Sequence, residues 1–185
     1  MTRIILASKS PRRRELMEML KLPFEIIVSD IDEQIDYDND LVREIEKLSF
    51  RKADAVYQEN KDALVIGSDT IVKIGNDVLG KPKSVEQAKE MLRELSDNTH
   101  EVVTGVTIIC NDQVETFSSV AKVTFYPLSE EEIDEYVKTN EPMDKAGSYA
   151  IQGDGAKFIR SIEGDFYTIV GLPVGELYHR LKKYL

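Results

Sequence analysis

At 185 residues, 42% hydrophobic and 31% charged, the chain is long enough to bury a real core and has an ordinary globular balance. Its formal net charge of −10 repels a polyphosphate backbone, so no nucleic-acid polymer is expected as a partner, and any nucleotide contact must come from a local basic site. No run approaches the roughly 20 apolar residues that cross a bilayer. Cys110 is the single cysteine, which leaves no internal disulfide and no cysteine-built zinc site, and His100 and His179 have no metal-ligand spacing.

Met1 to Ser8 opens directly into a strand-like run without a signal peptide's long apolar region, so the expectation is a reduced, cytoplasmic protein with no membrane partner. Arg3 to Ala7 reads as a buried strand. Ser10 then caps a helix with Pro11 at its first position, running through Leu16, Met17, Met19 and Leu20. Phe24 to Val28 reads as the next strand and leads into the acidic loop from Ser29 to Glu33. Asp40 to Tyr57 fits a longer helix with Leu41, Ile45, Leu48 and Val56 near one face.

Ala63 to Ile66 is a buried strand running into Gly67-Ser68-Asp69-Thr70 and then Ile71-Val72, and Gly75-Asn76-Asp77 predicts a hairpin turn. Ser84 caps a helix whose Val85, Ala88, Met91, Leu92 and Leu95 form one stripe. Two β-rich runs, Glu101 to Cys110 and Val114 to Tyr126, meet at Asn111-Asp112. Ser129 and Glu132 have the spacing of a capping box, starting a helix through Ile133, Tyr136 and Val137. Lys157 to Ile162 and Phe166 to Val170 read as strands, and Pro173 starts a last helix with Leu177, Tyr178 and Leu181 inward. The sum is an α/β fold with a mixed sheet and flanking helices.

Chemistry concentrates in a few places. Ser8-Lys9-Ser10-Pro11-Arg12-Arg13-Arg14 puts three arginines at a helix start, against the helix dipole. An anion on that turn, held by backbone N–H groups, serine hydroxyls and guanidinium forks, removes the conflict; a solvated helix with acid-paired arginines is the other reading. Asp69 follows four apolar residues and precedes two more. It suits a general base or a ligand for a hard divalent cation at a strand end, or a carboxylate hydrogen-bonded to a turn.

Gly75 to Lys81 matches a P-loop until Pro82, which has no hydroxyl for magnesium and opens no helix there, so the P-loop is rejected. Lys81 at a strand exit can still reach a phosphate, or it is a solvated lysine. Arg51-Lys52 lies on the long helix, where charge is usually a wet face, and Glu33 sits in the acidic loop as a carboxylate for a cation or as a solvated acid. Gln152, in a Gly-rich connection, has the donor and acceptor to read a base edge, or is an exposed amide. Taken together, Arg12, Arg13, Lys52 and Lys81 with Asp69 and Glu33 form the set that hydrolysis of a nucleoside triphosphate requires.

Leu6-Ala7-Ser8-Lys9-Ser10-Pro11-Arg12-Arg13, Gly67-Ser68-Asp69-Thr70-Ile71-Val72, Gly80-Lys81-Pro82, Pro142-Met143-Asp144-Lys145-Ala146-Gly147, Ile151-Gln152-Gly153, Gly164-Asp165-Phe166-Tyr167 and Val170-Gly171-Leu172-Pro173 together resemble the Maf family over essentially the whole chain. The resemblance implies one domain over residues 1–185, elongated and two-lobed about a central cleft, with a fold related to inosine triphosphate pyrophosphatases. It implies cleavage by water between the α and β phosphates of a nucleoside triphosphate, with a divalent metal, Mg²⁺ or Mn²⁺.

By motif, Asp69 is then the proton acceptor. Ser8, Arg13, Lys52 and Lys81 hold phosphates, with Lys52 and Lys81 counted in the catalytic set. Arg12, Thr70 and Gln152 bear on the choice of base, and Glu33 joins Asp69 as a metal candidate. Arg12 after Ser-Pro and Thr70 after the Asp resemble the branch acting on dTTP and UTP, including modified pyrimidine nucleotides, rather than the 7-methyl-GTP branch. The resemblance also admits a homodimer. It leaves a rival reading, a nucleotide-sensing regulator of cell division or septum formation in which hydrolysis is incidental.

Overall fold

The structure is a computed structural model that describes residues 2–28 and 30–185; Met1 and Ser29, the first residue of the acidic loop, lie outside the described residues. Its strands are β1 (Arg3–Ala7), β2 (Glu25–Ile26), β3 (Ala63–Ile74), β4 (Asp77–Leu79), β5 (Thr99–Cys110), β6 (Gln113–Phe125) and β7 (Ile159–Glu163). Its helices are α1 (Pro11–Glu18), α2 (Leu41–Tyr57), α3 (Val85–Leu95), α4 (Glu130–Lys138), α5 (Phe166–Val170) and α6 (Val174–Leu181). The strand order is β2-β1-β3-β5-β6-β7, with β4 on β3. β1 is parallel to β2 and β3, while β3–β4 and β6–β7 are antiparallel. The mixed sheet with flanking helices expected from the sequence is the one that forms.

The chain divides into two compact units, the first Met1–Thr70, Thr104–Ser119 and Gly171–Leu185, the second Ile71–Val103 and Val120–Val170. In the first unit, β1 pairs with β3 in a register running from Arg3↔Ala63 to Ala7↔Gly67. Ile5, Ala7, Ala63, Val65 and Ile109 bury against Ala53, Val56 and Tyr57 of α2; each large aliphatic side chain so buried contributes about 1.5–3 kcal/mol. Asp40 caps α2 by accepting from Val42 N at 3.0 Å, which satisfies one of the orphan donors of the first turn.

Two glycines set how closely α2 lies on its strands. A Cβ on Gly67 would stand 2.4 Å from the Ser49 carbonyl oxygen, and one on Gly105 would stand 2.7 Å from that of Ile45. Only a residue without a side chain permits that approach. In the second unit, α3 and α4 supply Leu92, Leu95, Ile133 and Tyr136 to a core with Val102, Val123, Phe125 and Phe158. The Ser129–Glu132 capping box at the start of α4 is present in both directions.

Several expectations are corrected. β2 is two residues long rather than Phe24 to Val28. α1 ends at Glu18, leaving Met19 half exposed. Val85 and Tyr178 point outward at 47% and 40% exposure, because each lies at the margin of its helix's apolar stripe. Residues Asp154–Phe158 form a 3₁₀ turn before β7 begins at Ile159. Phe166 to Val170 is helix α5 rather than a strand. The reason is local: Asp165 Oδ2 accepts from Thr168 N at 2.7 Å, an N-cap that starts a helix where hydrophobicity alone suggested a strand.

The stretch Gly67-Ser68-Asp69-Thr70 does not end a strand. β3 continues unbroken to Ile74, and a two-residue Gly75-Asn76 turn, with Gly75 at φ +55°, leads back into β4 through the Ile74↔Asp77 pair. Asp69 is therefore a mid-strand carboxylate.

Candidate active site

The geometry around Asp69 follows from the glycine two residues before it. Residues i and i+2 of a strand share a face, so Asp69 lies on the face that Gly67 presents to α2. Gly67 meets α2 at Ser49 and Ala53, and Lys52 stands between those two. Its ammonium donates to Asp69 Oδ1 at 2.8 Å and lies 3.2 Å from Glu33 Oε1. One lysine thus joins a strand carboxylate to a loop carboxylate.

The loop is fastened by the preceding helical residue. Arg51 donates to the Asp32 carbonyl oxygen at 2.9 Å and to that of Gln34 at 2.6 Å, bracketing Glu33. The sequence reading treated Arg51 as a wet helix face and missed this role. Two donors in a fixed fork on an arginine next to a functional lysine are the signal that could have found it.

Arg13 approaches Asp69 from α1. It is buried, with its Nε donating to the Gly171 carbonyl oxygen at 2.8 Å and its second terminal nitrogen donating to Thr70 Oγ1 at 2.9 Å. That nitrogen also lies 3.9 Å from Asp69 Oδ1, and the other terminal nitrogen lies 3.5 Å from Ser8 Oγ. Burial lowers the Arg13 pKa from its ordinary value, and the Asp69 carboxylate opposes the shift; a guanidinium stays charged under such conditions.

Thr70 is further held by Thr104 Oγ1 at 2.8 Å, and the Ser68 hydroxyl donates to the same Gly171 carbonyl at 3.3 Å. Gly171 has φ +127°, which suits glycine. At the start of α1, Ser8 Oγ accepts from Ser10 N at 3.2 Å, and Ser10 caps the helix through Arg13 N at 3.4 Å. The first turn contains no acid, and Arg12 is half-buried beside it.

Ser8, Arg12, Arg13, Glu33, Lys52, Asp69 and Thr70 all belong to the first unit, and hydrogen bonds and ion pairs link Ser8, Arg13, Glu33, Lys52, Asp69 and Thr70 into one network. Lys81 and Gln152 belong to the second unit and are exposed. Lys81 follows β4, and Gln152 sits in the loop between two 3₁₀ turns. Cys110 is buried, as expected for a core position.

Metal donors are few. Among the described residues no group of three or more His, Cys, Asp or Glu side chains gathers. Glu33 and Asp69 offer hard carboxylate oxygens on either side of the Lys52 ammonium. Two carboxylates are the complement Mg²⁺ takes from a protein when phosphates and water complete its shell, so the residues present fit such a cation.

The fold is that of the Ham1 proteins. The Staphylococcus aureus Ham1 protein superposes with a TM-score of 0.58 at 14% identity, covering all of both chains. A HAM1 protein from Coxiella burnetii gives 0.59 at 16% identity over 99% of this chain and all of that one. The family is more specific than the fold. The model of the Maf-like proteins matches residues 3–184, and the chain belongs to that family. Over 184 residues it is 50% identical to proteins of Bacillus cereus (strain B4264) and Bacillus anthracis named dTTP/UTP pyrophosphatase, covering 100% of this chain and 96% of each of theirs.

Proposed function

We propose that the protein is a nucleoside triphosphate pyrophosphatase that hydrolyses dTTP and UTP to the monophosphate and pyrophosphate. The carrying observation is the Asp69 carboxylate held by Lys52 and flanked by Arg13. The name shared by relatives at 50% identity supports the substrate class.

In this reading Asp69 takes a proton from water. The water oxygen forms a bond to the α-phosphorus, and the bond from that phosphorus to the bridging oxygen breaks with its electron pair leaving on pyrophosphate. Lys52 and Arg13 balance the charge that develops on the phosphate oxygens, an effect that is large when the cations are fixed beforehand. Arg13 is so fixed, because Gly171 and Thr70 hold two of its edges and leave the nitrogen near Ser8 for an anion. Ser8, Arg12 and Lys81 are phosphate or substrate contacts by motif. Thr70 acts through Arg13, and Gln152 reads the base edge. Glu33 and Asp69 would hold Mg²⁺ or Mn²⁺, which supplies neutralisation of phosphate charge.

Product analysis tests the reading. One pyrophosphate per dTTP or UTP consumed supports it, and orthophosphate as the primary product refutes the cleavage site. An Asp69→Asn protein that binds triphosphate but keeps its full cellular effect would move the function from hydrolysis to sensing.

A further inference from the structure

A second polar network, wholly within the second unit, encloses the loop that carries Gln152. Glu141 begins the 3₁₀ turn Glu141–Asp144 just after α4. Asp154 N donates to its Oε1 at 3.1 Å, and Gly155 N donates to its Oε2 at 3.2 Å. The Tyr136 hydroxyl donates to the same Oε2 at 2.6 Å and itself accepts from Ala150 N at 3.1 Å. Backbone N–H groups on both sides of Ile151-Gln152-Gly153 are therefore tied to one pair of side chains.

The loop is shaped to admit that carboxylate. A Cβ on Gly153 would stand 1.8 Å from Glu141 Oε1, so a side chain there would displace the carboxylate from the place it holds beside Gln152. Burial first, and the hydrogen bond to Glu141 second, raise the Tyr136 phenol far above its ordinary value, which keeps the hydroxyl proton in place as a donor. Neither side chain carries chemistry for phosphate cleavage, yet together they spend a carboxylate and a buried phenol on three backbone amides.

We propose that Glu141, with Tyr136, is a positioning residue for base selection: the pair presets the loop so that the Gln152 amide meets a pyrimidine edge without first paying to be ordered. This rests on the reading of Gln152 as the base contact. Thymine and uracil offer a carbonyl beside an N–H, while cytosine replaces that carbonyl with an amine, so a fixed amide separates them. A loosened one does so poorly.

Glu141→Gln preserves volume but turns one acceptor into a donor facing N–H groups, and Glu141→Asp keeps the charge while shortening the reach. Both are measured beside Gln152→Ala and the Glu141→Gln/Gln152→Ala double variant for kcat/KM on dTTP and dCTP. The expected result is a fall of about 3–10-fold in the dTTP to dCTP ratio for each Glu141 variant, with no further fall when Glu141→Gln is added to Gln152→Ala. Additive losses overturn the proposal, since Glu141 would then act independently of Gln152.

An unchanged ratio in Gln152→Ala overturns the reading of Gln152 and the positioning role with it. Amide hydrogen exchange gives a readout independent of turnover. Faster exchange at Ala150, Asp154 and Gly155 in either Glu141 variant is expected, and unchanged protection at those amides overturns the clamp whatever the rates show.

Discussion

The Lys52 ammonium donates to Asp69 Oδ1 across 2.8 Å, with the two side chains only 13% and 19% exposed. A half-dry ion pair of this kind holds a carboxylate in one orientation and keeps a cation ready for phosphate charge. Asp69→Asn should lower kcat by about 10²–10⁴-fold while a triphosphate still binds, as read by initial rates beside a titration with a slowly hydrolysed analogue. Loss of binding in step with rate would instead mean that Asp69 organises the site without taking a proton.

Gly67 sets the approach that makes the pair possible. Gly67→Ala places a methyl 2.4 Å from the Ser49 carbonyl and 2.7 Å from Ala53 N, where only backbone movement relieves the clash. A loss of about 1–3 kcal/mol in a urea titration is expected, together with a lower kcat as α2 lifts and carries Lys52 from Asp69. Unaltered stability would contradict the close packing.

Arg51 acts on Glu33 from behind. Arg51→Gln frees the carbonyls of Asp32 and Gln34, and the Mg²⁺ concentration for half-maximal rate should rise several-fold, while the preference for dTTP over dCTP stays where it was. Chelation by EDTA should stop turnover and added Mg²⁺ restore it. A change in base preference without a change in metal requirement would place Arg51 in a different role.

His100 carries a pH dependence of stability. It is 1% exposed, its Nε2 lies 2.7 Å from the Tyr149 hydroxyl, and among the described residues its Nδ1 has no partner. Burial lowers its pKa to about 4 from about 6.5 in an unfolded chain. Between those values the unfolded chain binds a proton that the folded one does not, so stability rises with pH across the window and falls on acidification from about 6.5 to about 4. The loss amounts to about 3 kcal/mol. Urea midpoints from pH 7 to 4.5 should show a steeper decline for the natural protein than for His100→Gln, and parallel declines would remove His100 as the cause.

Much of this architecture was legible beforehand because its signals were local. Ser10-Pro11, Asp40, Ser84 and the Ser129–Glu132 pair are capping residues whose side chains act within one helical turn, and each caps the helix expected of it. The Asn111-Asp112 turn, with φ of 50° and 58°, uses two residue types that tolerate that conformation. Asp69 stood out as an acid among apolar neighbours for the same reason.

What escaped depended on partners distant in sequence. Glu141 gave no signal, since an acid beside a proline after a helix looks solvated until the loop at Asp154 and Gly155 folds onto it. Arg51 looked wet because its acceptors are carbonyls 17 and 19 residues away. The length of β3 was misjudged because Ser68, Asp69 and Thr70 read as a polar break, although Gly171, Lys52 of α2 and Arg13 of α1 respectively supply their partners. Phe166 to Val170 misled in the opposite sense, apolar enough for a strand yet committed to a helix by the single cap at Asp165.

Arg13 waits for an acceptor 158 residues downstream, the Gly171 carbonyl. Translation must therefore run past Gly171 before the Arg13 Nε can find that acceptor, so the guanidinium of the nascent chain is held on fewer sides than in the finished fold. Truncation before Gly171 would take away the acceptor of Nε and leave the terminal nitrogens with Ser8, Thr70 and Asp69 as their neighbours of opposite character.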